Sequence, residues 1–170
     1  MNAIKHLSIG ILSLALIGCS TTPVATHDLG IFTSDQPLVH SWGDINIMDG
    51  NVTKTFTLRN DEEEPLLLIG AMTSCMCTTA EFTLHDGSTS GVFGMHGGPE
   101  WSHMVQPGES FDVQVTFDPL AHGPSATGPI MRTVNVISDP DPDVQGVQYT
   151  RIDVSGDVLS EIDYQAQYES

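Results

Sequence analysis

The 170-residue chain sets 22 Asp and Glu against five Lys and Arg, a formal charge of −17 near neutral pH. A chain this acidic repels phosphate backbones, which excludes nucleic acid as a natural partner and favours cations and solubility. The length suits one domain with a single core.

Residues 1–18 read as a leader. Lys5 supplies a short basic region, and residues 7–17 are apolar apart from Ser8 and Ser13. That run is shorter than the about 20 residues a membrane-spanning helix needs, and it fits a signal peptide. It closes on Leu16-Ile17-Gly18-Cys19, which resembles the bacterial lipoprotein box. The resemblance implies cleavage before Cys19 and acylation of that residue, palmitate included, which anchors the chain to the cell envelope. Ser20 stands where an aspartate would imply inner-membrane retention. In a cell with two membranes the expected address is therefore the outer membrane, on its periplasmic or surface face. Residues 19–28, small and broken by Pro23, form the lipidated tether. More than one acyl chain gives stable anchoring where a single acyl chain does not.

From residue 29 to 159 the pattern is that of strands. Residues 39–47 make a β-rich run interrupted by Gly43, and Asp49-Gly50 marks a turn. In residues 52–58, Val52, Phe56 and Leu58 face one side, with Lys54 breaking that face, and Thr53, Thr55 and Thr57 the other. An acidic turn over 60–65 leads to the continuous apolar run 66–72, as a central strand requires, and 80–84 adds a short strand. Phe111, Val113, Val115 and Phe117 alternate with Asp112, Gln114 and Thr116, the clearest strand signal in the chain. Residues 130–137 and 147–158 complete the set. About seven strands with turn signals between them predict an all-β chain folded as an antiparallel β-sandwich. The expected interior is Phe56, Leu58, Leu67, Ile69, Phe111, Val113, Val115, Phe117, Val134, Val136, Ile152 and Val154. Residues 85–107 and 118–129 read as long loops rich in Gly and Pro, a length usually tied to function. Residues 160–170 read as an acidic flexible tail.

Two cysteines remain in the body of the chain, in Ser74-Cys75-Met76-Cys77-Thr78. An exported protein meets an oxidising compartment, where thiols pair. Neighbours at i and i+2 close a very small ring, and an extended backbone holds their Cα atoms near or beyond the usual disulfide span of about 4.4–6.8 Å. The pair is therefore a strained disulfide, a redox-active dithiol, a soft-metal chelate or two inert buried thiols.

These motifs also carry a family resemblance. Phe56-Thr57-Leu58-Arg59-Asn60, Pro65-Leu66-Leu67-Leu68-Ile69 and the Ser-Cys-x-Cys-Thr segment resemble the bacterial domain of unknown function 1573 family, DUF1573. Gln106-Pro107-Gly108-Glu109, Phe117-Asp118-Pro119 and the closing Ser155-Gly156 fit the same pattern, so the resemblance spans about residues 39–158. It implies an immunoglobulin-like sandwich in an exported protein or lipoprotein, and it transfers no activity. Met76 stands where the family usually has glycine.

Soft and borderline ligands gather around this pair in sequence: Met95-His96 and His103-Met104 flank Gly97-Gly98-Pro99, and His122 follows in the next loop. Thiolate and thioether suit Cu(I), and imidazole suits copper or zinc. A loop folded back on itself would bring Cys75, Cys77, Met95, His96, His103, Met104 and His122 to one copper site, whereas singly each Met reads as core filler and each His as a loop residue. No Ser/His/Asp signature, nucleotide loop or hydrolase motif is present, so the expectation is a non-enzymatic binding module that takes a soft metal or an envelope protein partner. Asp139-Pro140-Asp141-Pro142-Asp143 offers alternate carboxylates for Ca²⁺, but its prolines stiffen the loop and no bidentate Glu follows, so it reads instead as the hairpin connection between the last two strands. On the anchor, Cys19→Ser is expected to move the protein out of the membrane fraction or to block its processing. Fractionation and intact-mass analysis read the outcome.

Overall fold

A computed structural model of the chain describes residues 30–139 and 146–168. The leader, Cys19, the tether and most of the Asp-Pro run lie outside the described residues. Among the described residues there are nine strands and one helix: β1 (Val39–Asn46), β2 (Val52–Arg59), β3 (Leu66–Thr73), β4 (Thr78–Thr83), β5 (Thr89–Phe93), β6 (His103–Val105), β7 (Ser110–Phe117), β8 (Gly128–Asp139), β9 (Gln148–Leu159) and α1 (Glu161–Tyr168). They form two sheets, ordered β1-β9-β8-β3-β6 and β2-β7-β4-β5. Described helix is too short and polar to cross a membrane.

The two sheets close on one core. Phe56 and Leu58 of β2, Phe82 of β4, Phe93 of β5 and Phe111, Val113 and Val115 of β7 meet Leu66 and Leu68 of β3, Val134 and Val136 of β8, and Ile152 and Val154 of β9. The Phe82 ring sits at its centre, 5.3 Å from Phe93, 5.5 Å from Trp101 and 5.7 Å from Phe111 between centroids. Gly70 makes this aromatic packing possible. Its φ of +146° falls where the β3–β8 register shifts, and a Cβ there would stand 2.8 Å from the Phe93 ring. Asn60 closes the opposite end from the cysteines. Fully buried, it donates to the carbonyls of Glu64 and Val105 at 3.0 and 2.9 Å and accepts from the Glu62 amide at 2.9 Å.

Four expectations need correction. The supposed loop 85–107 contains β5 and β6, too short or too polar to stand out by alternation. Leu67 and Ile69 are only half-buried, whereas Leu66 and Leu68 are buried. The β3 run is apolar at every position, so alternation cannot choose its face, and a one-residue slip exchanges the faces. β1 pairs with β9 in parallel, so the sandwich is not wholly antiparallel. Finally, residues 161–168 form a helix. Ser160 caps it by accepting from the Asp163 amide at 3.2 Å, and Gln167 and Tyr168 both donate to the Asp44 carboxylate, at 2.7 and 2.6 Å.

Truncation of a fully enclosed ring leaves a cavity that a two-sheet core collapses into poorly. Phe82→Ala is expected to lower the unfolding free energy by about 3–5 kcal/mol, measured by urea denaturation.

Candidate functional site

Two chain segments cross between the sheets at the same end of the sandwich. Residues 74–77 carry the chain from β3 to β4, and residues 118–127 carry it from β7 to β8. Backbone groups leaving a ladder must find other partners, and here they find them in each other. The Thr73 hydroxyl shares its proton between the carbonyls of Cys75 and Thr78, both at 2.9 Å. Ser74 donates its amide to the Thr133 carbonyl and accepts the Thr133 amide on its hydroxyl, each at 2.9 Å. The second crossing is tied to the first, because the Asp118 amide donates to the Cys77 carbonyl at 2.9 Å. The Asp118 carboxylate then accepts the Leu120 amide at 2.8 Å, and the turn that follows presents His122.

Between Cys75 and Thr78 the backbone makes a tight turn, with the Thr78 amide donating to the Cys75 carbonyl at 3.1 Å. The turn replaces the extended geometry assumed from the sequence. It draws the cysteine Cα atoms to 5.3 Å, inside the normal disulfide span, and Cys75 and Cys77 are disulfide-bonded. Met76 rides the turn with 66 % of its surface exposed. Among the described residues no residue other than glycine has a positive φ, so methionine meets no backbone penalty where the family usually has glycine.

The two sulfurs have different surroundings. Cys77 is buried at 2 % exposure among Ile45, Ile47, Phe117 and Val158. The Arg132 Nε donates to its sulfur at 3.1 Å. Cys75 is only half-buried. Its sulfur accepts the Cys77 amide at 3.3 Å and lies 3.3 Å from Nε2 of the exposed His122. The Cys75 sulfur, the Cys77 sulfur and a ring nitrogen of His122 all lie within 4.8 Å of one another.

Of the seven residues expected at one site, the structure brings these three together. Met95 and His96 form the tip of a turn whose Gly94 carbonyl accepts the Thr73 amide at 3.2 Å, which puts the turn at the correct end of β3. His96 nevertheless stays outside the three-residue group. His103 and Met104 do not come near. They pair in β6 with Leu68 and Leu67, and Leu68 lies five residues before the end of β3, roughly 17 Å at strand rise. The loop cannot fold back as a unit because β5 and β6 join different sheets. His103 instead stacks on Trp101 and pairs with Glu109 at 3.0 Å. Burial pushes the Glu109 carboxyl up, but the Gln106 amide and His103 outweigh it and hold it below the usual carboxylate range.

Sequence reasoning missed Arg132. In β8 the buried Val134 and Val136 mark the inner face, and Arg132 falls on the same alternation. An arginine at an inward position is the signal, since buried charges are held by specific partners. Its guanidinium lies 5.9 Å from the Phe117 ring centre and also donates to the Met131 carbonyl at 2.8 Å.

Comparison with known proteins supports the family reading over part of the chain. Residues 32–89 match the family model "Protein of unknown function (DUF1573)", a stretch that includes the Cys-x-Cys turn and ends before His122 and Arg132. No curated protein matches the chain. A protein of unknown function from Porphyromonas gingivalis W83 is similar in structure, at 18% identity and a TM-score of 0.50 over 76% of this chain and 47% of that one. The chain thus spans about half the length of that protein. An ASH/PapD-like domain of human CEP192 gives 13% identity and a TM-score of 0.48 over 92% of this chain and 99% of that domain. At these identities the likeness concerns fold alone.

Removing Asp118's carboxylate frees the Leu120 amide and loosens the segment that presents His122. Asp118→Ala is expected to cost about 1 kcal/mol of stability and to raise hydrogen exchange in residues 119–123, read by mass spectrometry.

Proposed function

We propose that the protein is a non-enzymatic binding module of the cell envelope, held to the membrane by lipid on Cys19, whose reduced Cys75 and Cys77 take a soft metal ion together with His122. One observation carries the reading: three ligand atoms of two soft sulfurs and one imidazole lie within 4.8 Å of one another. Ligands about 2.0–2.3 Å from a shared ion stand roughly 4 Å apart, so a small opening of the sulfurs suffices. Two thiolates and one imidazole suit Cu(I) best, because thiolate selects the soft ion and a zinc site of this kind would need a fourth ligand. The disulfide must be reduced first, since only thiolates ligate. The acidic surface attracts cations of any kind and adds no selectivity.

The test uses the chain carrying Cys19→Ser, with its thiols reduced, titrated with Cu(I) and with Zn²⁺ in competition with a calibrated chelator. One equivalent of Cu(I) is expected to bind. Cys75→Ser or Cys77→Ser is expected to abolish binding, and His122→Ala to weaken it roughly tenfold or more. His103→Ala and Met104→Ala are expected to leave the affinity unchanged. A reduced wild-type pair that takes neither metal overturns the reading and leaves partner binding as the function class.

A further inference from the structure

We propose that Cys75–Cys77 is also a thiol–disulfide exchange centre, which reacts with dithiols through Cys75 and releases Cys77 as the leaving thiolate. The asymmetry of the two sulfurs carries the inference. An incoming thiolate approaches a disulfide sulfur from outside, so access decides which sulfur is attacked. Cys75 is half-buried and faces an exposed His122, whereas Cys77 is 2 % exposed within an apolar cluster. Cleavage leaves negative charge on the sulfur that departs. That sulfur is Cys77, and it already accepts a hydrogen bond from the Arg132 guanidinium at 3.1 Å. A cation set at the leaving sulfur stabilises the charge as it develops, and the surrounding apolar side chains strengthen that attraction.

The electrons balance as follows. A thiolate of the external dithiol forms a bond to Cys75 Sγ. The Cys75–Cys77 bond breaks, and its electron pair leaves on Cys77 Sγ beside Arg132. The second thiolate of the dithiol then attacks its own partner sulfur in the mixed disulfide and releases Cys75 as a thiolate. The external dithiol ends as a disulfide, oxidised by two electrons, and the protein pair ends as two thiols with the dithiol's two protons. Run in reverse, the same steps let the protein disulfide be regenerated by an oxidised partner. The substrate class is thus a dithiol, small or protein-borne, and Arg132 acts as a positioning residue for the leaving thiolate.

The proposal does not rest on metal binding, and its test is run in the presence of a chelator. The chain carrying Cys19→Ser has Cys75 and Cys77 as its remaining thiols. In the folded protein, dithiothreitol is expected to reduce the pair without unfolding, with folding followed by circular dichroism. A substoichiometric pulse of glutathione, quenched with acid, is expected to leave its adduct on Cys75, located by peptide mapping. Cys77→Ser is expected to form a mixed disulfide with oxidised glutathione at least tenfold faster than Cys75→Ser. Arg132→Met is expected to slow reduction of the intact pair by about tenfold, and Arg132→Lys to restore part of that rate. An adduct on Cys77, a pair that opens only when the chain unfolds, or an Arg132→Met chain reduced at the parent rate each overturns the proposal. A chain that exchanges thiols yet takes no Cu(I) removes only the metal reading. A reduced chain that binds Cu(I), but whose disulfide resists dithiols while folded, removes only this one.

Discussion

The hydrogen bond from the Asp118 amide to the Cys77 carbonyl fixes the chemistry of this molecule, because it joins the two crossings between the sheets. Without it, each crossing is a separate surface turn. With it, the turn bearing the sulfurs and the segment bearing His122 share one frame. The frame is anchored on both sheets: Ser74 exchanges two hydrogen bonds with Thr133 of β8, and Thr78 opens β4 opposite Phe117 of β7. A β-sandwich leaves few places where backbone groups must find partners outside a ladder. This chain satisfies them with Thr73, Ser74 and Asp118, residues of the resemblance motifs or next to them, and the sulfur positions follow from that.

Much of the fold could be read from alternation because most strands have one wet face. β7 is the clearest case: Phe111, Val113, Val115 and Phe117 all lie inside, as their spacing requires. β3 shows the limit. Its run is apolar on both faces, so the side toward the core is decided by pairing with β8 and by the bulge before Gly70, not by local pattern. β5 and β6 escaped notice because they are short and alternate weakly, and β6 pairs with β3, more than thirty residues earlier in the chain. Helix α1 has no apolar stripe; its place is set by the Ser160 cap and by a contact to Asp44, far away in sequence.

The site was legible in its chemistry and less so in its geometry. The Cys-x-Cys pair and His122 were visible as ligand types. Proximity in sequence then overcounted, since His103 and Met104 are carried away by β6 along the length of β3. Arg132 was undercounted for the opposite reason. It lies 55 residues from Cys77 and reaches it through the packing of β8 across the end of the core. Its contacts also set it apart from other arginines in this acidic chain. Arg59 and Arg151 each bond a carboxylate two residues further on. The polar contacts described for Arg132 are a sulfur and a carbonyl.

The proposed metal and exchange chemistries would use one pair of sulfurs, so they would be linked thermodynamically. A metal binds the dithiol and not the disulfide, and therefore stabilises the reduced form by RT ln(1 + [L]/Kd). At a free metal concentration 100 times Kd this is about 2.7 kcal/mol, which for a two-electron couple raises the reduction potential of the pair by roughly 60 mV. Oxidation has the reciprocal effect: closing the disulfide removes both thiolates and expels the ion. His122, exposed, lies 3.3 Å from the Cys75 sulfur in the disulfide state, and the Arg132 guanidinium would favour a charged Cys77 in the open one. With both proposals in force, a chain of this arrangement would couple the redox poise of its surroundings to its hold on a soft cation, with no moving part larger than a three-residue turn.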